Sequence, residues 1–288
     1  MVSYETGDLT LRAEYVDSIV KNFALKDFKM LGICNIQATK ASKNTYFEET
    51  DADLVKTATT GITGTSLGEV ARGAAFPNVT PSFTEINEYL SKHAASATIL
   101  WEDTITDRIP ISMRTLLRVS RAVANSMDKV IITELNTTTN TGAASNTWDN
   151  AVISLRDPVK DILTGIAGMS IDNWDVLVNE GFIVIHPTNK MELLSNQGVV
   201  NAGMFYTSAV TKEGTIEKIC GLRIIETTSQ TENTVTMGIS KIAMTWFQAC
   251  PLTTDTKVNA GVDYTVKAWA YGTPALINNN AAWKITGC

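Results

Sequence analysis

Apolar residues recur at helical spacing in four places along the chain, and the stretches between them differ in kind. Near the N-terminus Leu11, Tyr15, Ile19 and Phe23 fall four apart, with Val16 and Val20 beside them, which is the stripe of one helix. From Gln37 to about Pro81 large apolar residues thin out. Thr, Ala, Gly and Ser dominate there, and Gly61, Gly64, Gly68 and Gly73 come close together. That is far longer than an ordinary connection of about four to six residues, yet too poor in charge to read as a disordered tract. Strand-like runs at Thr45–Glu49 and Phe83–Leu90 predict a projecting two-stranded arm. Two strands alone are marginal in water, so such an arm needs a partner surface, and another copy of the chain is the simplest supplier. A strand-like run then reaches about Leu100 and leads through an acidic turn, WEDTITD (Trp101 to Asp107), into the second helical stretch.

That stretch carries the clearest pattern in the chain. Met113, Leu116, Leu117, Val123, Ala124, Met127, Val130, Ile131 and Leu135 form one stripe, and Arg114, Arg118, Arg121, Asn125 and Asp128 form the opposite one. Pro110 suits a first-turn position, with Asp107 or Ser112 near the start. About 25 residues at 1.5 Å each make a rod of about 40 Å, which ends in the loop Thr137–Asn146. Downstream, helices and strands alternate. Asp157 is placed to cap a helix that opens at Pro158, shows Val159, Ile162, Leu163 and Ile166 on its apolar face, and ends at Gly168. Phe182–Ile185 reads as a short buried strand, Thr188 as the cap of a helix through Leu194, and Gly203–Ser208 as a loop. Strands are expected at Leu222–Glu226, Val235–Ile239, Ile242–Phe247 and Tyr264–Tyr271. The last has Tyr264, Val266, Ala268 and Ala270 on one face.

Composition narrows the function classes. The 288 residues are 44% hydrophobic and 19% charged, as expected of an ordered chain with a substantial core. A net charge of −6 and a pI near 5.1 argue against a protein that grips nucleic acid through a broad basic surface, though not against a local basic stripe. No apolar run is long enough to cross a membrane as a helix, and the N-terminus, with early acids and no compact apolar segment, does not read as a secretory signal. Cys34, Cys220, Cys250 and Cys288 are far apart with no CxxC pair, which reads as reduced thiols; Cys288, the last residue, reads as a mobile one.

Candidate chemistry is sparse. TTGITGTSLGEVARG (Thr59 to Gly73) is Gly-rich but lacks the Gly-Lys-Ser/Thr of a phosphate loop, so it reads as an arm tip. His93 lies in a strand-like run and His186 at a strand end before Pro187; neither sits in a metal-ligand motif, so no metal, cofactor or catalytic residue is assigned. No GxSxG elbow is present. Glu102, Asp103 and Asp107 precede the long helix, where carboxylates stabilise the positive end of its dipole. The stripe of Arg114, Arg118 and Arg121 is the most informative polar feature: a solvated face by default, and otherwise a contact surface for salt bridges to another subunit or for nucleic acid.

The order of elements resembles the major capsid proteins of tailed double-stranded-DNA viruses, those with the Hong Kong 97 fold. FPNVTPSFTEINEYLSKHAASATILWEDTITD (Phe76 to Asp107) resembles the returning strand of that family's extended loop and the lead-in to its spine helix. IPISMRTLLRVSRAVANSMDKVIITELN (Ile109 to Asn136) is similar to the spine helix itself. GFIVIHPTNKMELLSNQG (Gly181 to Gly198) and GLRIIETTSQTENTVTMGISKIAMTW (Gly221 to Trp246) are similar to the axial domain. VKAWAYGTPALINNNAAWKITG (Val266 to Gly287) resembles the closing strands.

The resemblance implies an α+β fold with an N-terminal arm over 1–37 and an extended β loop over 38–100. The spine helix and part of a peripheral domain would occupy 101–150, an axial domain 151–263, and closing strands returning to the peripheral domain 264–288. It further implies a non-enzymatic subunit that assembles with itself into pentamers and hexamers around double-stranded DNA, in a virion capsid built in the host cytoplasm. Separate scaffold, portal and decoration proteins would be its partners, with weak DNA contact through Arg114, Arg118 and Arg121 on the shell's inner side. Gly61, Gly64, Gly68 and Gly73 would form an arm-tip interface. No charged helical scaffolding segment precedes the arm, which implies a separate scaffold or a trimmed chain. Lys40, Lys43 and Lys56 show no motif that marks a crosslinking lysine. Two alternatives share parts of the pattern: an encapsulin-like compartment shell, and an α+β enzyme with a flap over Gly61–Gly73.

Overall fold

A computed structural model of the chain describes residues 18–23, 28–49, 72–73, 83–105, 111–171, 174–176, 178–196, 199 and 218–288. Its body is built on two sheets. In the four-stranded sheet, β1 (Asn35–Ala38) runs parallel to the root of β10 (Met244–Asn259). β10 forms a long hairpin with β11 (Asp263–Leu276), and β4 (Ser91–Leu100) closes the other side antiparallel to β11. The long helix α3 (Ile111–Leu135) lies across β4 and β11. Alternation along β11 puts Val266, Ala268 and Ala270 on the helix side, all buried, while Lys267 on the other face is exposed. The small alanines let the helix lie close to the sheet.

The six-stranded sheet has the order β5 (Thr141–Ala143), β12 (Ala282–Thr286), β9 (Thr234–Ile239), β6 (Gly181–Ile185), β8 (Leu222–Glu226), β7 (Lys218–Ile219). β6 is buried along its whole length, as its unbroken apolar run requires of a strand covered on both faces. Helix α4 (Pro158–Ile171) packs on β12, and α5 (Pro187–Ser195) follows β6. Apolar residues of both sheets, from Ile99 and Val266 to Ile183 and Val235, belong to one continuous core. The helical residues 18–23, α1, bring Val20 fully into it.

The arm's described part is β2 (Lys43–Glu49) paired antiparallel with β3 (Phe83–Tyr89), in register from Lys43 opposite Tyr89 to Glu49 opposite Phe83. It joins the body through a small separate cluster, Tyr46, Phe247 and Ala275, with Ile86, Leu90 and Ile277 packed around them. A short helix, α2 (Trp101–Ile105), stands where the sequence reads as an acidic turn.

Several expectations are corrected. Residues 91–100, expected in the extended loop, are β4 and belong to the body sheet. Residues 244–259, expected in the axial domain, are β10 of that same sheet. The closing strands part company: β11 stays with β10, whereas β12 pairs with β9 and β5 in the other sheet. Helix α4 does not stop at Gly168 but continues to Ile171. A Cβ at Gly168 would lie 2.5 Å from Trp283 Cζ3, so this glycine serves helix–strand approach rather than termination. The cap of α5 is His186, whose Nδ1 accepts from the Thr188 N–H, and not Thr188. Asp157 does cap α4, accepting from the Lys160 N–H at 3.1 Å. Cys288, expected as a mobile thiol, is buried. Leu11, Tyr15 and Val16, Asp107 and Pro110, the Gly203–Ser208 loop, and Gly61, Gly64 and Gly68 lie outside the described residues.

Candidate assembly surfaces

The long helix sorts its charges by sign. Leu116, Val119, Val123, Ala124, Met127, Ile131, Ile132 and Leu135 are buried against the sheets. Arg114, Arg118, Arg121 and Lys129 are exposed, Glu134 is half-buried, and Asp128 is buried. Asp128, expected on the polar stripe, therefore does not belong to it. Its two carboxylate oxygens accept from the backbone N–H groups of Lys29 and Met30, at 3.0 and 3.1 Å, and tie the N-terminal segment to the helix. Every exposed charge on the described helix is thus cationic, on a chain of net charge −6. Among the described residues neither Arg114 nor Arg118 has an ion-pair or hydrogen-bond partner. Lys129 extends the face by two turns beyond Arg121. Its neighbour Asp128 masked that in the sequence, because only burial separates the two.

The arm has two unlike faces. Asn44, Tyr46 and Glu48 share one with Ile86 and Glu88, which turns toward the body. The other carries Phe47 and Tyr89, 61% and 67% exposed, around a Thr45–Asn87 hydrogen bond of 2.7 Å. Two exposed aromatics on a two-stranded ribbon are what a surface awaiting a partner looks like. Gly73 sits in an exposed turn at φ +86, a left-handed conformation that suits glycine.

Most interior polar side chains are paired within the fold; among the described residues the Asn44 Nδ2 and Trp174 Nε1 groups have no partner. His93, buried between β4 and α3, has Nδ1 2.9 Å from Ser126 Oγ and Nε2 3.1 Å from Ser91 Oγ. Ser91 donates its only hydroxyl proton to the Gly272 carbonyl. It must therefore accept from Nε2–H, which leaves Nδ1 to accept from Ser126. Burial lowers the His93 pKa, in keeping with this neutral tautomer. Asp161 accepts from Ser145 N–H, Ser145 Oγ–H and Trp148 Nε1–H, pinning the loop after α3 to α4. Burial pushes Cys34 and Cys288 up to about 12, far from thiolate chemistry. Among the described residues no three His, Cys, Asp or Glu side chains are grouped to hold a metal ion, and no helix is long and apolar enough to cross a membrane.

Two sheets sharing one core, a 25-residue helix across the flank of one, and a two-stranded arm joined to the body by a small cluster define the architecture. Solved structures with this fold include phage capsids and a virus-like particle. The chain superposes on the capsid of the cyanophage P-SCSP1u with a TM-score of 0.65 at 11% identity, over 89% of this chain and 86% of that one. It superposes on the mature capsid of bacteriophage PhiM1 with a TM-score of 0.63 at 12% identity, over 90% and 86%. A virus-like particle from Pyrococcus furiosus gives 0.61 at 12% identity, over 94% and 98%. The fold is that of tailed-phage major capsid proteins, as the sequence resemblance implied. No curated protein sequence matches the chain significantly. The phage capsid protein family model matches residues 84–284, from the arm's returning strand to β12, and the chain belongs to that family. Its role is structural.

Proposed function

We propose that this chain is the major capsid subunit of a tailed double-stranded-DNA phage, closing into pentamers and hexamers of an icosahedral shell in the host cytoplasm. The observation that carries the reading is the family match over residues 84–284, which includes the long helix and most of both sheets. In this reading the segment from residue 38 to the start of β4 reaches over a neighbouring copy, with Phe47 and Tyr89 as its contact face and Gly61, Gly64, Gly68 and Gly73 at its tip. Arg114, Arg118, Arg121 and Lys129 face either the packaged genome or an adjacent subunit. Each interface buries apolar surface at roughly 25 cal/mol per Å² before ordering costs, so many moderate contacts sum to a stable shell. A scaffold, a portal and decoration proteins would be separate chains.

The test is negative-stain microscopy of the purified chain, alone and with a scaffold candidate from its own genome, followed by nuclease treatment of particles from the native source. Closed particles that protect double-stranded DNA are expected. A chain that stays monomeric under every assembly condition sinks the reading. The same fold also suits a compartment shell, which is the second reading; the likeness to the Pyrococcus furiosus virus-like particle, over 98% of that chain, is compatible with either. Particles that enclose protein cargo and no protected DNA would decide for it. Deleting residues 61–73 should leave a folded subunit with impaired shell formation. Normal particles from that deletion would remove the arm tip from the interface.

A further inference from the structure

Where the arm meets the body, every charge that lines the gap among the described residues is negative. A cavity of about 330 Å³ separates the arm's inner face from the C-terminal end of α3. Its walls carry Glu48 and Glu88 from the arm and Glu134 from the last turn of the helix, with Tyr46 as the remaining titratable group. The rest of the lining, including Leu276 and Asn279, is neutral. Among the described residues no lysine or arginine lines the cavity; Lys284, beyond the helix end, spends its ammonium on the Asn136 carbonyl.

The helix itself aggravates the repulsion. A 25-residue helix presents a negative pole at its C-terminus, and this one has no basic residue in its last turn to offset it. Glu134 is fixed to the body by accepting the Leu276 backbone N–H, whereas Glu88 rides on the arm. Burial raises both carboxyls above the ordinary range, and the Glu88 charge adds to the rise at Glu134. Asn44, directly opposite Glu88, buries an Nδ2 that has no acceptor among the described residues. The arm's root continues from β1 and into β4, and its inner face is held to the body by one small apolar cluster against an electrostatic load.

We propose that Glu88 and Glu134 form a proton-operated latch, which keeps the root of the arm docked on the helix end while one of them is protonated and loosens it when both are ionised. A carboxyl whose pKa is raised on docking contributes docking free energy that is present in acid and is lost as pH rises through the raised value. The window opens above the ordinary carboxylate range. Docking is a property of the single chain, whereas its consequence, control of the angle at which the arm leaves the subunit, rests on the arm reading above.

The experiment is hydrogen–deuterium exchange of the full, unassembled chain at about pH 5 and about pH 7.5, with exchange times scaled to intrinsic rates, read over β2 and β3. In the wild type the arm amides should be severalfold more protected at the lower pH. Glu88→Gln and Glu134→Gln remove the charge, keep the size and, at 134, keep an acceptor for Leu276. Both should be protected at either pH. Glu85→Gln, on the opposite face of the same strand, should behave as wild type. Equal wild-type protection at the two pH values overturns the latch, as does a pH response that survives in both inner-face variants or disappears in the Glu85 variant. None of these readouts depends on whether particles form, so the latch and the assembly role can fail separately.

Discussion

At the scale of single residues, the tightest constraint lies between α4 and β12. Gly168 and Gly165 both face Trp283, and a Cβ at Gly165 would also come within 2.8 Å of Met237 Sδ. Replacing Gly168 by Ala gains about 1 kcal/mol of helix propensity, but overpacking a stiff indole costs about 1–3 kcal/mol. The ring cannot swing clear as a flexible chain would, so the second effect should win. Gly168→Ala is expected to lower the melting temperature by several degrees; a rise in a thermal melt would show that Trp283 yields. His93 makes a different demand. Neutral and fully hydrogen-bonded in the fold, it contributes stability above its ordinary pKa of 6.5, and loses that contribution as pH falls toward the lowered folded-state value. Melting curves of wild type and His93→Gln should therefore converge on acidification below about pH 6.5. A constant difference between the two would mean that the ring titrates normally.

At the scale of elements, Asp128 joins two that are distant in sequence. Its carboxylate is the acceptor for two backbone donors at the head of the segment leading to β1, a hundred residues away. Asp128→Ala leaves those donors buried and unmet, at a cost of about 1–3 kcal/mol, and amide exchange over residues 28–34 should accelerate before the rest of the sheet is affected. Unchanged exchange there would show that water replaces the carboxylate. Asp128 also marks the limit of pattern reading. The helix was legible because nine apolar residues kept its period, yet an acid one step from the polar stripe could be assigned to its true side only by its partners. The expected strand Ile242–Phe247 was real but ended too soon. β10 runs on through Thr253, Asp255 and Lys257, half-buried or exposed because beyond β1 it is the edge strand of its sheet, so no apolar alternation announces it. Sheet membership was not legible at all for β4, β10 and β12. Pairing β12 with β9, or β4 with β11 some 170 residues later, is a long-range choice to which local periodicity is blind.

At the scale of the whole molecule, the proposed capsid role asks how an acidic protein would contact DNA without gripping it. An exposed face of Arg114, Arg118, Arg121 and Lys129, on a subunit whose remaining charge is strongly negative, gives attraction over one narrow rod and repulsion elsewhere. Each phosphate neutralised adds about 0.9 to the slope of log affinity against log salt, so under the proposed role a few contacts per subunit would bind weakly at physiological salt and leave a genome free to slide. If the rod meets DNA, replacing all three arginines by glutamine should lower that slope by about 0.9 for each arginine that meets a phosphate, measured on the dispersed subunit with short duplexes. The same variant should still form particles of normal size. If the rod is instead an inter-subunit surface, the salt slope will stay at its wild-type value and particles will fail to form. The two roles separate because DNA contact is graded in salt for a single subunit, whereas a lost subunit interface is multiplied over every copy in the shell.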